Sequence, residues 1–393
     1  MRTLVQLISV SLLLGIVAAP SNAQLVVTLG DRPIGIDDGL TLDADGNLYG
    51  SSFINGTNGR IRIVTPQGID SVFCTQLEGP LGHDFGPDGT LYVASYYQGT
   101  VSGVDANGDA TVLVSGISRP SGVVYGPDGY LYVTEYGVPN NHGTSIYRVG
   151  LDGSIELFAS DPLFDGPVGV DFDEAGNLYV GSFNRGHITR VTPEGVVEFL
   201  ATVPGPDDFN TGYIAYKNGN IYATGIGTHK IYRLDLGTLE LSDYAGTGVL
   251  GYQDGDAATA RFYRPNGLVM SAGGDTLYVS EYGNKTVRMI ISGDTSSSPE
   301  VHGDATARVQ LEQNVPNPSI GMTSIRYALA SSEDVVFQVF DVQGREVLRA
   351  EEGIRSAGSH VLDLDTQSLS SGVYTYRLRA GGDTVSRQMS IVR

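Results

Sequence analysis

The chain has 393 residues, 44 of them acidic and 24 basic, and the net charge of −20 argues against nucleic acid and anionic membrane surfaces as partners. Its single cysteine excludes a disulfide within the chain. The length predicts two or three domains and suffices to bury a large core without cross-links.

Residues 1–23 predict a signal peptide that is cleaved after Ala23. Arg2 precedes an apolar run between Leu4 and Ala19, and the small residues needed for cleavage follow at once. The alternative is a membrane anchor, but the run is short for a bilayer span. We therefore expect export by way of the periplasm and no transmembrane span in the mature protein.

Between residues 24 and 291 one short pattern recurs six times. Each copy has an apolar run, a turn rich in Asp, Asn and Gly that supplies the positive φ of a tight hairpin, and a strand similar to Leu-Tyr-Val. The apolar residue before each tyrosine stands at positions 48, 91, 131, 178, 221 and 277. A period of about 40–50 residues built from short strands is typical of a β-propeller. The sequence therefore predicts six four-stranded blades.

The last copy provides only three strands before the sequence becomes polar at Ser292. The missing strand is predicted at the other end of the repeat region, where Gln24–Leu29 followed by Arg32-Pro33 resembles the outer strand and Arg119-Pro120 of an internal copy. We expect this N-terminal strand to complete the sixth blade, which would close the ring and remove an exposed sheet edge.

The mouth of the predicted channel is the candidate binding face. The residue before each inner strand should face the channel, and the loop after each second strand should open at the same end. Aligning the copies places a mostly aromatic ring with two carboxylates there. The candidates are Asp38, Tyr96, Glu135, Tyr136, Phe183, Asn266, Glu281 and Tyr282. Alternatively, the aromatic side chains pack between blades and the acids are solvated.

The stretches Tyr244-Ala-Gly-Thr-Gly and Pro265-Asn-Gly-Leu268 resemble an NHL repeat, and the other blades resemble the wider NHL and SMP-30/gluconolactonase-like propellers. The resemblance covers about residues 24–291 and implies, for the lactonase-type enzymes, a divalent cation held in the channel by one Glu, two Asn and one Asp. Only Asp38 and Asn266 stand at comparable positions here, whereas Leu81 is apolar.

Oxygen ligands such as those of Asp38 and Asn266 suit Ca²⁺ or another hard divalent cation. Two protein ligands are few, because Ca²⁺ takes about six to eight oxygens. We therefore expect calcium binding no tighter than about the millimolar range.

Residues 292–310 are polar and aperiodic and predict a linker. From residue 311 to residue 393, short alternating strands with glycine turns predict a small Ig-like β-sandwich. The motifs Gln313-Asn-Val-Pro-Asn-Pro318, Asp341-Val-Gln-Gly-Arg-Glu346 and Ser371-Gly-Val-Tyr-Thr-Tyr-Arg-Leu378 closely resemble the type A C-terminal sorting domain of the type IX secretion system. The Phe-Asn-Pro that is common in that family is replaced by Ser319-Ile-Gly321.

The sorting resemblance implies that the type IX secretion machinery is a partner and that the protein is secreted or held at the outer cell surface. The alternative for this region is an ordinary Ig-like module. Several motifs in the right order at the end of a chain with a signal peptide favour the sorting domain.

The sequence supports two hypotheses for the propeller. It is a binding or scaffold module, expected as a monomer, for a glycan, a peptide or a small molecule. Alternatively, it is a metal-dependent hydrolase of the lactonase type, with Asp38 and Asn266 as ligands and Glu281 or Glu135 as the base. The binding module is favoured because the metal ligand set is incomplete and a fold alone does not imply chemistry.

Overall fold

The protein is all-β, as the sequence predicts, and is described here from a computed structural model. The structure describes residues 24–29, 33–53, 59–65, 69–138, 141–206, 209–291, 309–311, 314–341 and 345–391. The predicted signal peptide, its cleavage site at Ala23 and most of the predicted linker lie outside these ranges. Within them, no helix is long and apolar enough to cross a membrane.

The chain starts with strand β1 (Leu25–Thr28) and then forms three antiparallel four-stranded blades in succession. Blade one comprises β2 (Leu40–Leu42), β3 (Leu48–Ser52), β4 (Gly59–Val64) and β5 (Asp70–Leu77). Blade two comprises β6 (Pro80–Phe85), β7 (Leu91–Ser95), β8 (Thr100–Val104) and β9 (Ala110–Ser115). Blade three comprises β10 (Pro120–Tyr125), β11 (Leu131–Glu135), β14 (Ser145–Val149) and β15 (Ile155–Ser160), with an inserted hairpin of β12 (Gly137–Val138) and β13 (Asn141–His142).

A 3₁₀ turn at Pro162–Phe164 leads into the second half of the propeller. Blade four comprises β16 (Pro167–Phe172), β17 (Leu178–Ser182), β18 (His187–Val191) and β19 (Val197–Thr202). Blade five comprises β20 (Thr211–Lys217), β21 (Asn220–Gly225), β22 (Lys230–Asp235) and β23 (Glu240–Ala245). Blade six contains β24 (Gly255–Asp256), β25 (Pro265–Met270), β26 (Thr276–Glu281) and β27 (Thr286–Ile291).

The N-terminal strand closes the ring, which confirms the prediction from the incomplete sixth copy. Strand β1 pairs antiparallel with β27, with Val26 opposite Ile290, and the short β24 pairs with its outer edge. Apolar residues of β27 such as Met289 form one core cluster with Ile36 and Leu48 of blade one. Both ends of the repeat region therefore lie together where blade six meets blade one, a contact that we call the seam.

At one position the inner strands of neighbouring blades lie so close together that there is no room for a side chain, and the residue there is glycine. A Cβ atom added to Gly267 would lie 1.9 Å from the carbonyl oxygen of Asp38 in blade one. At the same seam the hydroxyl of Ser280 donates to that carbonyl oxygen at 2.7 Å and accepts the N–H of Gly267 at 2.8 Å. The glycine that opens each sequence repeat is thus a packing requirement between neighbouring blades.

The inner strands line a channel cavity of about 250 Å³, and two half-buried carboxylates face into it. Asp84 accepts the backbone N–H of Tyr125 at 2.9 Å, and Asp171 accepts that of Tyr216 at 2.6 Å. Each carboxylate therefore accepts a hydrogen bond from a backbone N–H on the inner strand of the next blade, which has no strand partner on that side. Burial raises the pKa of both groups, to about 7 for Asp171.

The C-terminal region forms two sheets around one core. Its strands are β28 (Val309–Leu311), β29 (Val315–Ile320), β30 (Met322–Leu329), β31 (Glu333–Phe340), β32 (Glu346–Arg355), β33 (Gly358–Asp365), β34 (Gly372–Ala380) and β35 (Asp383–Ile391). Strand β30 pairs with β28 and β33, whereas β31 lies between β32 and β34. Buried residues of both sheets, including Ile325 and Phe337, pack together. This arrangement agrees with the predicted β-sandwich.

Candidate functional site

One backbone hydrogen bond, repeated from blade to blade, places the side chains at the mouth. In five blades the residue after the second strand donates its N–H to the carbonyl oxygen of the residue before the inner strand. The pairs are Tyr96 to Gly79 (2.9 Å), Tyr136 to Arg119 (3.1 Å), Phe183 to Gly166 (2.9 Å), Ile226 to Asn210 (2.8 Å) and Tyr282 to Arg264 (2.9 Å). In blade one the N–H of Phe53 donates to the carboxylate of Asp37 instead, at 2.7 Å.

The mouth carries a continuous line of aromatic side chains, which we call the aromatic row. Its members, in order of contact, are Tyr97, Phe53, Tyr96, Tyr136, Phe183 and Phe209. Successive ring centres are 5.2–5.8 Å apart. The two end residues are 44% and 41% exposed, and the four between them are half-buried. The rings pack across blades, as the alternative interpretation expects, and also present accessible surface, so the binding face stays a prediction.

Two arginines lie against the aromatic row. The guanidinium carbon of Arg119 is 5.0 Å from the ring centre of Tyr96, and its Nη1 donates to the Tyr96 hydroxyl at 2.9 Å. The guanidinium carbon of Arg264 is 5.3 Å from the ring centre of Phe209. Each contact is a cation–π interaction that also holds the arginine head at the mouth.

Tyr282 belongs to a separate group beside the aromatic row. The ammonium of Lys285 lies 4.2 Å from the centre of its ring and forms an ion pair with the buried carboxylate of Asp37. Burial raises the pKa of Asp37, and Lys285 opposes that shift. Among the described residues, Tyr282 makes no ring contact with the row.

Glu281 does not face the mouth, contrary to its predicted position on the binding face. Its side chain is fully buried, and its carboxylate accepts bonds from the Tyr263 backbone N–H at 2.6 Å and the Thr286 hydroxyl at 3.0 Å. The fully buried Arg288 lies 3.4 Å from the same carboxylate. A buried guanidinium needs a counter-ion, and this requirement turns Glu281 inward.

Glu135 is partly exposed, but its carboxylate accepts a hydrogen bond from the Tyr147 hydroxyl of the same blade at 3.3 Å. The inserted hairpin of this blade is attached to the next one, because His142 bonds Asp165 at 2.7 Å. Arg185 and Asn184 bond the same carboxylate. The inserted hairpin, which follows Tyr136 of the aromatic row, is therefore attached to the connection that leads into blade four.

Asp38 and Asn266, which are 228 positions apart, meet at the seam where the ring closes. The Asn266 amide nitrogen donates to the Asp38 carboxylate at 3.0 Å and to the backbone carbonyl of Asp37 at 3.1 Å. Because both of these partners are hydrogen-bond acceptors, the Asn266 side chain must turn its amide nitrogen, and not its oxygen, towards Asp38. Burial, followed by the nearby Asp37, raises the pKa of Asp38 to about 7.

These residues do not fit the cation site that the lactonase resemblance implies. Asn266 turns a donor rather than an oxygen towards Asp38, and the equivalent Leu81 and Val168 are apolar. The hydroxyls of Ser121 and Thr211 are buried and have no hydrogen-bond partner among the described residues. Within the described ranges no three His, Cys, Asp or Glu side chains cluster as metal ligands would. The expectation of weak calcium binding stays a prediction.

We expect Asp38→Asn to stabilise the protein above about pH 7. Folded Asp38 keeps its proton up to about pH 7, whereas in the unfolded chain its pKa is the ordinary aspartate value of 3.8. The wild type therefore loses stability relative to the variant as the pH rises between these values, by about 4 kcal/mol in total. Urea denaturation of both proteins at a series of pH values measures the difference. A difference that does not change with pH would contradict the assignment.

Sequence reasoning missed four residues of the mouth: Tyr97, Phe209, Arg119 and Arg264. A weak signal existed for the arginines, because each is followed by the proline that begins an inner strand. Phe209 lies on the connection into blade five and Tyr97 follows Tyr96, so neither occupies the aligned position.

Comparison with known proteins assigns the C-terminal region. Residues 315–392 match the family described as the secretion system C-terminal sorting domain. The chain carries a type IX sorting domain. Its presence confirms the prediction from the sequence motifs and implies recognition by the type IX machinery and export to the cell surface or beyond it.

The rest of the chain resembles solved β-propellers. A Bacteroides thetaiotaomicron structure described as an auxiliary nutrient binding protein has a TM-score of 0.59 at 15% identity, over 70% of this chain and 77% of that one. A Xanthomonas campestris structure described as a gluconolactonase has a TM-score of 0.52 at 17% identity, over 68% and 90%. At these identities the similarity shows the fold alone, and it confirms the propeller.

A curated relative matches only a short stretch. The Arabidopsis thaliana protein named Suppressor of quenching 1, chloroplastic, is 35% identical over 79 residues. The match spans 20% of this chain and 7% of that protein.

Proposed function

We propose that this protein is an exported binding module that holds a saccharide across the mouth of its propeller. The aromatic row is the observation that carries the proposal. The electron-rich faces of aromatic rings attract the C–H groups on the apolar faces of sugar rings. A series of rings whose successive centres are 5.2–5.8 Å apart suits consecutive sugar units better than a single compact ligand. The nutrient-binding description of the Bacteroides propeller supports a role of this class.

The proposed route begins with cleavage after Ala23 and passes through the periplasm. The mature chain then consists of a propeller (residues 24–291), a linker (292–310) and the sorting region (311–393), and it acts as a monomer. The charge of −20 and the sorting domain are consistent with a protein that works outside the cell or on its surface.

The second candidate function is a lactonase-type hydrolase. The contact between Asp38 and Asn266 favours it, because these residues stand where such enzymes keep metal ligands. The inward-facing amide nitrogen and the apolar neighbours weigh against it. Micromolar calcium binding that Asp38→Ala abolishes, together with lactone hydrolysis, would favour the enzyme over the binding module.

Tyr136→Ala should weaken saccharide binding about tenfold or more, because it interrupts the middle of the aromatic row. Binding of a panel of neutral and acidic oligosaccharides is measured by titration calorimetry. Phe199→Ala is the matched control, since Phe199 is 47% exposed but lies on the outer strand of blade four, away from the mouth. If the full panel does not bind, or if both variants bind equally well, the saccharide proposal fails, and binding of a peptide instead would favour that alternative.

A further inference from the structure

Two positive charges lie along the aromatic row without a negative partner. Arg119 contacts Tyr96 and Arg264 contacts Phe209, at opposite ends of the four-ring segment that also includes Tyr136 and Phe183. Among the described residues neither guanidinium forms an ion pair, and the hydrogen bond from Arg119 goes to the neutral hydroxyl of Tyr96.

Two other cations at this end of the propeller are neutralised. Lys285 is paired with Asp37, and Arg185 is paired with Asp165. In a chain with a net charge of −20, carboxylates to pair with are plentiful. Within the part of the chain that the structure describes, the two half-buried guanidiniums at the mouth have no carboxylate partner, and a ligand carboxylate would supply one.

The backbone at both arginines gives an independent reason to expect a role for their side chains. Arg119 and Arg264 have φ values of +53° and +54°, in the left-handed region that disfavours a residue with a Cβ atom. The equivalent residues of blades two and four, Gly79 and Gly166, have φ values of +64° and are glycines. Glycine would serve the backbone better at all four positions, so the strain at the arginines is consistent with a function of their guanidinium groups.

We propose that the mouth selects saccharides that carry carboxylate groups, such as oligosaccharides of uronic acids, over neutral ones. Each guanidinium donates a paired, charge-assisted hydrogen bond to one ligand carboxylate, while the rings between Arg119 and Arg264 hold the sugar faces. This inference rests on the proposed function, because it names the class of saccharide that the aromatic row takes.

The test compares each acidic ligand with its own neutral form. Tetrasaccharides of galacturonate, mannuronate and glucuronate are titrated into the full-length protein, each as the free acid and as the methyl ester. We expect at least one acid to bind about tenfold or more tightly than its ester. The preference should shrink as salt is raised, because part of it is electrostatic.

The variants replace each arginine with glycine, the residue that blades two and four carry at the equivalent position. Arg119→Gly together with Arg264→Gly should remove the preference for the acid, so that the acid binds no more tightly than the ester to this variant. The melting temperature should stay the same or rise, because glycine relieves the positive φ. Arg119→Lys with Arg264→Lys should keep part of the preference through charge alone.

Three outcomes would overturn the inference. Equal affinity for every acid and its ester would do so, as would a preference that survives in the double glycine variant. Binding of neutral oligosaccharides without any binding of the acids would overturn the inference but leave the proposed function standing. If no saccharide binds at all, the proposed function itself fails.

Discussion

Arg288→Met is expected to lower the free energy of unfolding of the propeller by about 3–5 kcal/mol. Arg288 is fully buried between Tyr252 and Phe262, with its guanidinium carbon 5.1 and 5.0 Å from their ring centres. It bonds the carboxylates of Glu281 and Asp254. Removing it leaves Glu281 buried without a counter-ion.

The loss should extend beyond one blade, because the same network holds the strand that closes the ring. Asp254 accepts the backbone N–H and the hydroxyl of Thr28 in β1, both at 3.1 Å. Arg288 also donates to the carbonyl oxygens of Gln253 and Arg261 at 2.9 Å, which fixes the connection between blades five and six. Urea denaturation followed by circular dichroism measures the change, and the exposed Arg233→Met is the control.

The pH dependence identifies the cause. Burial already raises the pKa of Glu281, and Arg288 opposes that shift. Without Arg288 the pKa rises further, so the variant is most stable where Glu281 is protonated and loses stability as the pH increases. The deficit relative to the wild type should therefore grow as the pH rises above the ordinary glutamate pKa of 4.5. Adding Glu281→Gln should recover a large part of it at the higher pH. A double variant no more stable than Arg288→Met alone would refute this explanation.

A chain truncated after Ile291 should stay inside a bacterium that has the type IX system, whereas the full chain reaches the surface or the medium. The truncation removes residues 315–392, which match the sorting domain, and leaves every described strand of the propeller intact. Immunoblots of the periplasmic, surface and medium fractions measure the distribution.

Two controls separate a sorting defect from misfolding. The truncated protein should keep the melting temperature of the propeller, because blade six is completed by β1 and needs no strand from the C-terminal region. Residues 292–393 fused behind a periplasmic reporter should direct that reporter out of the cell. Wild-type delivery of the truncated chain would show that the sorting domain is dispensable.

The sequence alone determined the architecture, since each blade is specified by local chemistry that repeats. The Asp-Gly and Asn-Gly turns predict the hairpins, and the Leu-Tyr-Val pattern predicts the strand that follows each turn. The six copies of this pattern predict six blades. Even the closing strand β1 could be predicted, because its partner β27 lacked a neighbour. The motifs of the sorting domain are likewise contiguous in sequence.

The tertiary structure decided which mouth residues act together. The sequence predicted Tyr96, Tyr136 and Phe183 as separate residues of the mouth. Whether their rings touch depends on the distances between blades, which the repeat pattern of a single blade does not determine. Glu281 occupies the same aligned position as Glu135, yet it points inward because its blade buries Arg288, which needs a counter-ion. Side-chain direction at these two positions therefore follows from partners on the neighbouring strand of the same blade, Arg288 for Glu281 and Tyr147 for Glu135, and the aligned repeat pattern does not show which of these partners is buried.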